Sequence, residues 1–186
     1  MKLNFENRNR LTQAVAFTAH IHGTKEETRM LSMLGHCMET AEIVARLTKD
    51  EDTRVAALLH DIPEYFPGMM PVLQQRFGSD VAALCQLERT PGYMTDSGGD
   101  NWQRRKLYVI NRLAGDDERR KRIFLADKLS EVRYLSLNGL EAPNARKNPS
   151  MLIWYYRSVL LALGGLKYTE PYREMETRLK ELIGNA

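Results

Sequence analysis

The sequence is poor in the features that mark secreted and membrane-spanning proteins. Only two cysteines, Cys37 and Cys85, occur in 186 residues. Both lie in apolar helical patterns, so we expect reduced core side chains and no disulfide framework. No uncharged apolar run approaches the roughly 18 residues that a membrane span needs, and residues 1–10 are polar and lack the apolar centre of a signal peptide. These absences predict a cytoplasmic protein with no membrane partner.

The sequence also lacks a strong excess of charge of either sign. Lysine and arginine number 27 against 24 acidic residues, which gives a net charge of +3. Such a mild excess permits an anionic substrate, whereas stable nucleic-acid binding usually needs a denser basic patch. A hydrophobic content of 43% over 186 residues predicts one globular domain with a substantial core. Nothing in the composition indicates an oligomeric state.

Helical periodicity runs through almost the whole chain, and no segment alternates well enough for a sheet. A third helix should begin at a cap provided by Asp50, Asp52 or Thr53, and Ser79 could cap a later one. Residues 90–100 and 139–149 are predicted loops. The chain is therefore predicted to be an all-α single domain over residues 1–186. The helices expected from the pattern cover about 9–22, 28–47, a third ending at His60 and Asp61, 72–77, one following Ser79, 102–113, 118–137, 151–163 and 172–183.

The most informative stretch is Ala-Ala-Leu-Leu-His-Asp-Ile-Pro-Glu at positions 56–64. Pro63 cannot continue helical hydrogen bonding and disfavours the α conformation at Ile62, so the helix should stop near that point. His60 and Asp61 then lie in the last turn of an apolar helix. Burying such groups is costly unless they are paired, hydrogen-bonded or bound to a metal.

Two further polar side chains interrupt apolar helical patterns, namely His36 and Asp127. Taken singly, His36 also fits a hydrogen-bonded core histidine, and Asp127 also fits an ion pair with Lys128 or an arginine. Taken with His60 and Asp61, they form a mixed nitrogen and oxygen ligand set. Such a set suits manganese, iron or zinc with positions left open for water and substrate. One metal ion would account for all four groups together.

The order His36, then His60-Asp61, then Asp127 within Leu-Ala-Asp-Lys-Leu resembles the HD-domain metal phosphohydrolases. Within that superfamily the chain is most similar to small alarmone hydrolases and to the hydrolase domain of the bifunctional guanosine tetraphosphate enzymes. The resemblance covers a motif core of about 11–135, and helices over 150–183 complete the predicted HD-type helical bundle. The other shared elements are Ala-Val-Ala-Phe before His22, and Phe77-Gly78 before Val81.

The resemblance implies that His36, His60, Asp61 and Asp127 are metal ligands, with Mn²⁺ the usual ion, although another divalent metal is compatible with the same set. It also implies that Glu64 helps to orient or activate the attacking water, although a solvated helix-end carboxylate is the alternative. The implied reaction is removal of 3′-pyrophosphate from guanosine tetra- or pentaphosphate.

Departures from the family pattern fall on the substrate side. The second acid of the family's His-Asp-x-x-Glu-Asp motif is Tyr65 here, and the family's asparagine four places after the last Asp is Glu131. Most of the guanosine-pocket elements are also missing. Two alternatives therefore stay open. One is a phosphatase for a deoxynucleoside monophosphate or a phosphorylated dinucleotide, and the other is a non-catalytic nucleotide-binding module with a vestigial metal site.

Several basic side chains are candidate phosphate contacts, and each could equally be an ordinary surface residue. The run from Arg119 to Arg122 is more typical of a solvated helix face. The aromatic run from Trp154 to Tyr156 fits either stacking on a base or core packing, which is the more common role. The candidate phosphate contacts are Lys25, Arg29, Arg104, Arg105 and Lys128.

Overall fold

The computed structural model describes residues 9–23, 27–91, 101–140 and 149–184, and within that part it describes no side chain for 27–31. Those ranges contain helices, turns and no strand, which confirms the predicted all-α fold. Among the described helices, none combines the length and the apolar character that crossing a membrane would require. The helices are α1 (Arg10–His22), α2 (Glu27–Leu47), α3 (Glu51–Leu59), α4 (Ile62–Tyr65), α5 (Met70–Phe77), α6 (Ser79–Leu84), α7 (Trp102–Leu113), α8 (Glu118–Asn138), α9 (Pro149–Ala162) and α10 (Glu170–Gly184).

Contacts between residues divide the chain into two compact units, Met1–Leu87 and Glu88–Ala186. We call them the N-terminal unit and the C-terminal unit. A single domain over residues 1–186 remains a prediction. The predicted loops at 90–100 and 139–149 lie mostly outside the described residues.

Helix α3 is the centre of the N-terminal unit and packs against α1, α2 and α6. Residues 55–59 form the apolar second half of this helix and are all buried. Of the three predicted caps, Asp50 is the one used, because its carboxylate accepts a hydrogen bond from the Thr53 backbone N–H at 2.8 Å. The Thr18 hydroxyl of α1 donates to the Leu58 carbonyl at 2.8 Å, and this bond satisfies an acceptor that the end of α3 leaves free.

The chain turns sharply where α3 ends. Helix α3 stops at Leu59 with His60 as its C-terminal cap, so His60 and Asp61 directly follow the helix rather than lying in its last turn, as was predicted. The expectation that Ile62 avoids the α conformation is wrong, since Ile62 begins the short helix α4. Pro63 is the second residue of α4, where no intrahelical partner is needed for the missing N–H. Proline thus ends one helix and starts the next.

The rest of the N-terminal unit follows the sequence pattern with small differences. Helix α5 begins at Met70 rather than near residue 72, and Gly78 ends it with a φ of 98° that favours glycine. Ser79 is the first residue of α6 rather than its cap, because Gly78 occupies the capping position. Cys37 and Cys85 are both buried free thiols, as predicted.

Helix α8 is the centre of the C-terminal unit. Residues 123–130 are all buried, and α8 packs along α10, which in turn contacts α9. A bidentate ion pair joins α8 to α10, since Arg133 donates to the two carboxylate oxygens of Glu174 at 2.8 and 2.6 Å. Gly139 ends α8 with a φ of 84°. The bounds of α7 match the predicted 102–113.

Candidate metal centre

The end of α3 fixes the orientation of the His60 ring. His60 is almost fully buried, and its Nδ1 lies 2.8 Å from the Ala57 carbonyl oxygen. Because a carbonyl oxygen can only accept a hydrogen bond, Nδ1 carries the proton and Nε2 of the neutral ring keeps its lone pair. A hydrogen bond from one ring nitrogen to a backbone carbonyl is how metal-binding histidines are usually held.

Helix α2 places His36 directly against this lone pair. The Nε2 atoms of His36 and His60 are 3.3 Å apart, and the two rings meet edge to face. The carboxylate of Asp61 completes the group, with Oδ1 at 3.3 Å from His60 Nε2 and Oδ2 at 3.8 Å from His36 Nε2. The side chains of His36 and Asp61 are 21% and 16% exposed, so solvent reaches this side of the group.

The spacing of these three side chains fits ligands of one divalent ion. Metal–ligand bonds of about 2.0–2.2 Å set neighbouring ligand atoms roughly 3.0–3.5 Å apart. The 3.3 Å separations at His60 lie in that range, and the 3.8 Å separation lies slightly beyond it. The nitrogen and oxygen donors suit manganese, iron or zinc in an open catalytic site. The N-terminal unit therefore brings together three of the four predicted ligands.

A buried thiol, Cys37, and a third imidazole, His22, lie beside these predicted ligands, and their position there was not predicted. Cys37 follows His36 in α2, and its sulfur lies 4.0 Å from Asp61 Oδ2 and 4.0 Å from His22 Nε2. A cysteine among apolar residues predicts only a core side chain. The packing of the helices is what shows that Cys37 lies next to Asp61 and His22.

Helix α4 positions the backbone after Asp61. The Asp61 carbonyl accepts the N–H groups of Glu64 and Tyr65, both at 3.2 Å. The side chain of Glu64 is exposed, whereas Tyr65 is half-buried. Glu64 is thus a solvent-accessible carboxylate one helical turn after Asp61, a predicted ligand.

Asp127, the fourth predicted ligand, lies in the C-terminal unit, in the middle of α8, and is 4% exposed. Its Oδ2 is 3.0 Å from the ammonium of Lys128. The ion pair that the sequence offered as the ordinary explanation for Asp127 therefore exists. An ion pair at one oxygen is compatible with metal binding, because a carboxylate has about four acceptor sites.

Lys128 is itself surrounded by carboxylates. Its Nζ also lies 2.8 Å from Glu88 and 2.9 Å from Glu131. Burial disfavours the charged amine, but attraction from Asp127, Glu131 and Glu88 outweighs burial and raises the pKa of Lys128 well above its usual value. Burial likewise opposes the charge of Glu88, yet Lys128 and Lys106 lower the pKa of that carboxyl to about 2.

The predicted phosphate contacts fall into three groups. Lys25 and the side chain of Arg29 lie outside the described residues. Arg104 is exposed on α7 and Arg105 is half-buried there. Lys128 is the least suited to touch a phosphate, because its ammonium already contacts three carboxylates.

The other two sequence features have structural roles. The side chains from Arg119 to Arg122 are half-buried, and Arg119, Arg120 and Lys121 pair with acidic residues around the start of α8. Tyr155 and Tyr156 are buried in the core of the C-terminal unit, and Trp102 meets Tyr155 edge to face. Core packing of this aromatic run, the more common of its two predicted roles, is thus observed for both tyrosines.

Comparison with known proteins agrees with this geometry. The family model described as an HD domain matches residues 14–155. The guanosine-3′,5′-bis(diphosphate) 3′-pyrophosphohydrolase MESH1 of Drosophila melanogaster is 28% identical over 137 residues, and the alignment covers 73% of each chain.

Two solved structures share the fold. One, described as a metazoan ortholog of SpoT that hydrolyzes ppGpp, has a TM-score of 0.71 at 23% identity and covers 98% of both chains. The other, lmo0812 from Listeria monocytogenes EGD-e, has a TM-score of 0.69 at 22% identity and covers 80% of this chain and 94% of its own. At these identities the two structures support the fold alone. Since the family model spans well over half of the chain, the protein belongs to the HD-domain family and is a metal-dependent phosphohydrolase.

Proposed function

We propose that this protein removes the 3′-pyrophosphate of guanosine tetra- or pentaphosphate. The observation that carries the proposal is the meeting of His36, His60 and Asp61 at 3.3–3.8 Å, in a chain related to a 3′-pyrophosphohydrolase. Water is the co-reactant, and the bond that breaks joins the 3′ oxygen to its phosphorus. Guanosine tetraphosphate would then yield guanosine diphosphate and pyrophosphate.

We propose that the ion is held by His36, His60, Asp61 and Asp127, and that it is Mn²⁺. A divalent ion bound by this set would lower the pKa of a coordinated water and offset the charge of the phosphates. Within the protein, His60 Nδ1 donates to the Ala57 carbonyl and thereby directs Nε2 toward His36. Nitrogen and oxygen donors without a thiolate support a hard or borderline ion rather than a closed structural zinc site.

Glu64 is proposed to orient the attacking water and to accept its proton. Its exposed side chain leaves α4 three residues after Asp61, so a carboxylate at this position can approach substrate-side water without being a ligand. Asp61 would serve both as ligand and as the anchor from which α4 begins, since its carbonyl accepts the Glu64 N–H.

Cationic side chains are proposed to offset charge that develops on the pyrophosphate. Arg104 and Arg105 remain the described candidates, and Lys25 and Arg29 remain candidates from the sequence. The same reasoning makes the partner an anionic nucleotide and predicts no stable nucleic-acid complex. A cytoplasmic location also stays a prediction, which the two free thiols support.

A different specificity is the second candidate, and two residues favour it. Tyr65 cannot act as the carboxylate base that the family carries at that position, and Glu131 stands where the family has asparagine. A phosphatase for another nucleotide would release orthophosphate rather than pyrophosphate. A non-catalytic binding module would bind metal or nucleotide without turnover.

Product analysis across a nucleotide panel with Mn²⁺ present separates these functions. We expect pyrophosphate and guanosine diphosphate in equal amounts from guanosine tetraphosphate, and no turnover after chelation. Orthophosphate from deoxynucleoside monophosphates or phosphorylated dinucleotides, with guanosine tetraphosphate untouched, would support the phosphatase instead. If no nucleotide of the panel is turned over in the presence of metal, the non-catalytic binding module is the remaining function.

A further inference from the structure

A buried ionic cluster surrounds Lys128, and apart from Asp127 its members have no role in the proposed reaction. We call it the Lys128 cluster. It lies wholly within the C-terminal unit and joins side chains of α7, α8 and α9 to one residue that precedes α7. Its members are Glu88, Lys106, Asp127, Lys128, Glu131, Tyr155 and Tyr156.

Three carboxylates surround the Lys128 ammonium. A lysine ammonium has three N–H donors. Its Nζ lies 2.8 Å from Glu88, 3.0 Å from Asp127 and 2.9 Å from Glu131, so each donor has its own carboxylate. The side chain is only 4% exposed, and water does not compete for these bonds.

The two glutamates are fixed in turn by other partners. Glu131 accepts from Lys128 at Oε1 and from the Tyr156 hydroxyl at Oε2, the latter at 2.8 Å. Glu88 accepts from the Tyr155 hydroxyl at Oε1, at 2.9 Å, and from Lys106 at Oε2. Both glutamates that contact Lys128 are therefore held by further partners of their own.

Stability is not the main benefit expected from a buried cluster of charges. Replacing a buried ion pair by well-packed apolar residues is often neutral or stabilising, because both charges lose their hydration on burial. A cluster of this kind gives geometric precision instead. In this cluster, the side chain whose orientation would be fixed is that of Asp127, because its Oδ2 lies 3.0 Å from the Lys128 ammonium.

We propose that Lys128 is a positioning residue that holds the carboxylate of Asp127 in the orientation needed to bind the divalent ion. This inference rests on the proposed assignment of Asp127 as a ligand. Lys128 contacts neither substrate nor metal in this role, and Glu131 and Tyr156 act by holding Lys128. Loss of such supporting contacts typically weakens metal affinity by about ten- to a hundredfold.

Calorimetric titration of the full chain with Mn²⁺ tests the proposal. Lys128→Met removes the ammonium and keeps the length of the side chain, whereas Glu131→Gln and Tyr156→Phe leave Lys128 in place but loosen it. We expect a Kd for Mn²⁺ about tenfold or more higher for Lys128→Met, and a smaller rise for the other two variants. If Lys128→Met does not fold, the two milder variants decide the outcome.

Glu174→Gln is the matched control for Glu131→Gln. Glu174 is bound by Arg133 and Arg178 in the same unit, so the change also breaks a partly buried ion pair. We expect an unchanged Kd for Mn²⁺ in this variant. An unchanged Kd in a folded Lys128→Met variant, or an equal loss in Glu174→Gln, would overturn the positioning role.

Asp127→Asn separates failure of this inference from failure of the proposed function. If Asp127→Asn binds Mn²⁺ as tightly as the wild type, Asp127 is not a ligand, and both the proposed four-ligand set and the positioning role are wrong. If Asp127→Asn loses the ion while Lys128→Met keeps it, only the positioning role is wrong. We expect Asp127→Asn and Lys128→Met to bind Mn²⁺ more weakly than the wild type, and Glu174→Gln to bind it with wild-type affinity.

Discussion

His60 owes its orientation to its place at the end of α3. The residue caps the helix, and its ring folds back so that Nδ1 donates to the Ala57 carbonyl. This bond directs Nε2 toward helix α2, where it lies 3.3 Å from the Nε2 of His36. The motif in the sequence identified the residue and its chemistry. It did not reveal the hydrogen bond, because the bond depends on where the helix stops.

Glu64→Ala should separate metal binding from chemistry. Because Glu64 is exposed and is not proposed as a ligand, we expect the Kd for Mn²⁺ to stay unchanged while kcat falls about a hundredfold or more. Steady-state kinetics and calorimetry measure the two quantities.

Glu176→Ala controls for loss of an exposed glutamate, since Glu176 pairs only weakly with Lys180 at 3.4 Å on α10. It should leave kcat unchanged. A Glu64→Ala variant with wild-type kcat would show that Glu64 has no part in catalysis.

Helix α3 depends on its N-terminal cap as well as on burial. Asp50 accepts from the backbone N–H of Thr53 and also from the Thr53 hydroxyl. Asp50→Ala should therefore lower the free energy of unfolding by about 1 kcal/mol, the usual cost of a lost cap. Urea denaturation measures the change. Asp50→Ser keeps a capping oxygen and should recover most of the loss, and equal destabilisation by both substitutions would contradict the capping role.

The ion pair between α8 and α10 should make stability depend on pH. Hydrogen bonds from Arg133, and then from Arg178, outweigh burial and lower the pKa of Glu174 to about 2. Because the folded pKa lies below the usual 4.5, the stabilisation is fully present above pH 4.5 and is lost as pH falls toward 2. At pH 7 we expect Glu174→Gln to lower the free energy of unfolding by about 1–2 kcal/mol.

Urea unfolding of both proteins at pH 7 and pH 3 checks this expectation. The difference between wild type and Glu174→Gln should shrink at the lower pH, because at pH 3 the Glu174 carboxyl group takes up a proton in the unfolded chain while it stays mostly ionised in the folded protein. Glu176→Gln, a change at an exposed carboxylate of the same helix, should show little difference at either pH. A difference for Glu174→Gln that stays constant between the two values would contradict the lowered pKa.

Local patterns predicted most helices, and they failed where two local signals competed. The bounds of α7 follow from its apolar spacing alone. At Pro63 the sequence indicates only that a helix must break, and it does not show that a new helix starts one residue earlier. Ser79 was predicted to cap α6, but Gly78 occupies the capping position with a φ of 98°, which favours glycine.

The chemistry of the whole molecule is less visible in the sequence than the helices are. Motif order identified the ligand candidates, because buried imidazoles and carboxylates are unusual in apolar helices. Of the Lys128 cluster, only the pair of Asp127 and Lys128 was predicted, since Glu88 meets Lys128 only through tertiary packing. Spacing along the chain contains no information about such distant pairs.

The proposed function requires that ligands from different helices hold a single ion. Stoichiometric titration with Mn²⁺, followed by electron paramagnetic resonance, measures this most directly. We predict one tightly bound Mn²⁺ per chain in the wild type, and loss of that same ion in Asp61→Ala and in Asp127→Ala, each variant keeping its helical circular dichroism. Retention of the ion in either folded variant, or two ions lost independently, would contradict a shared site.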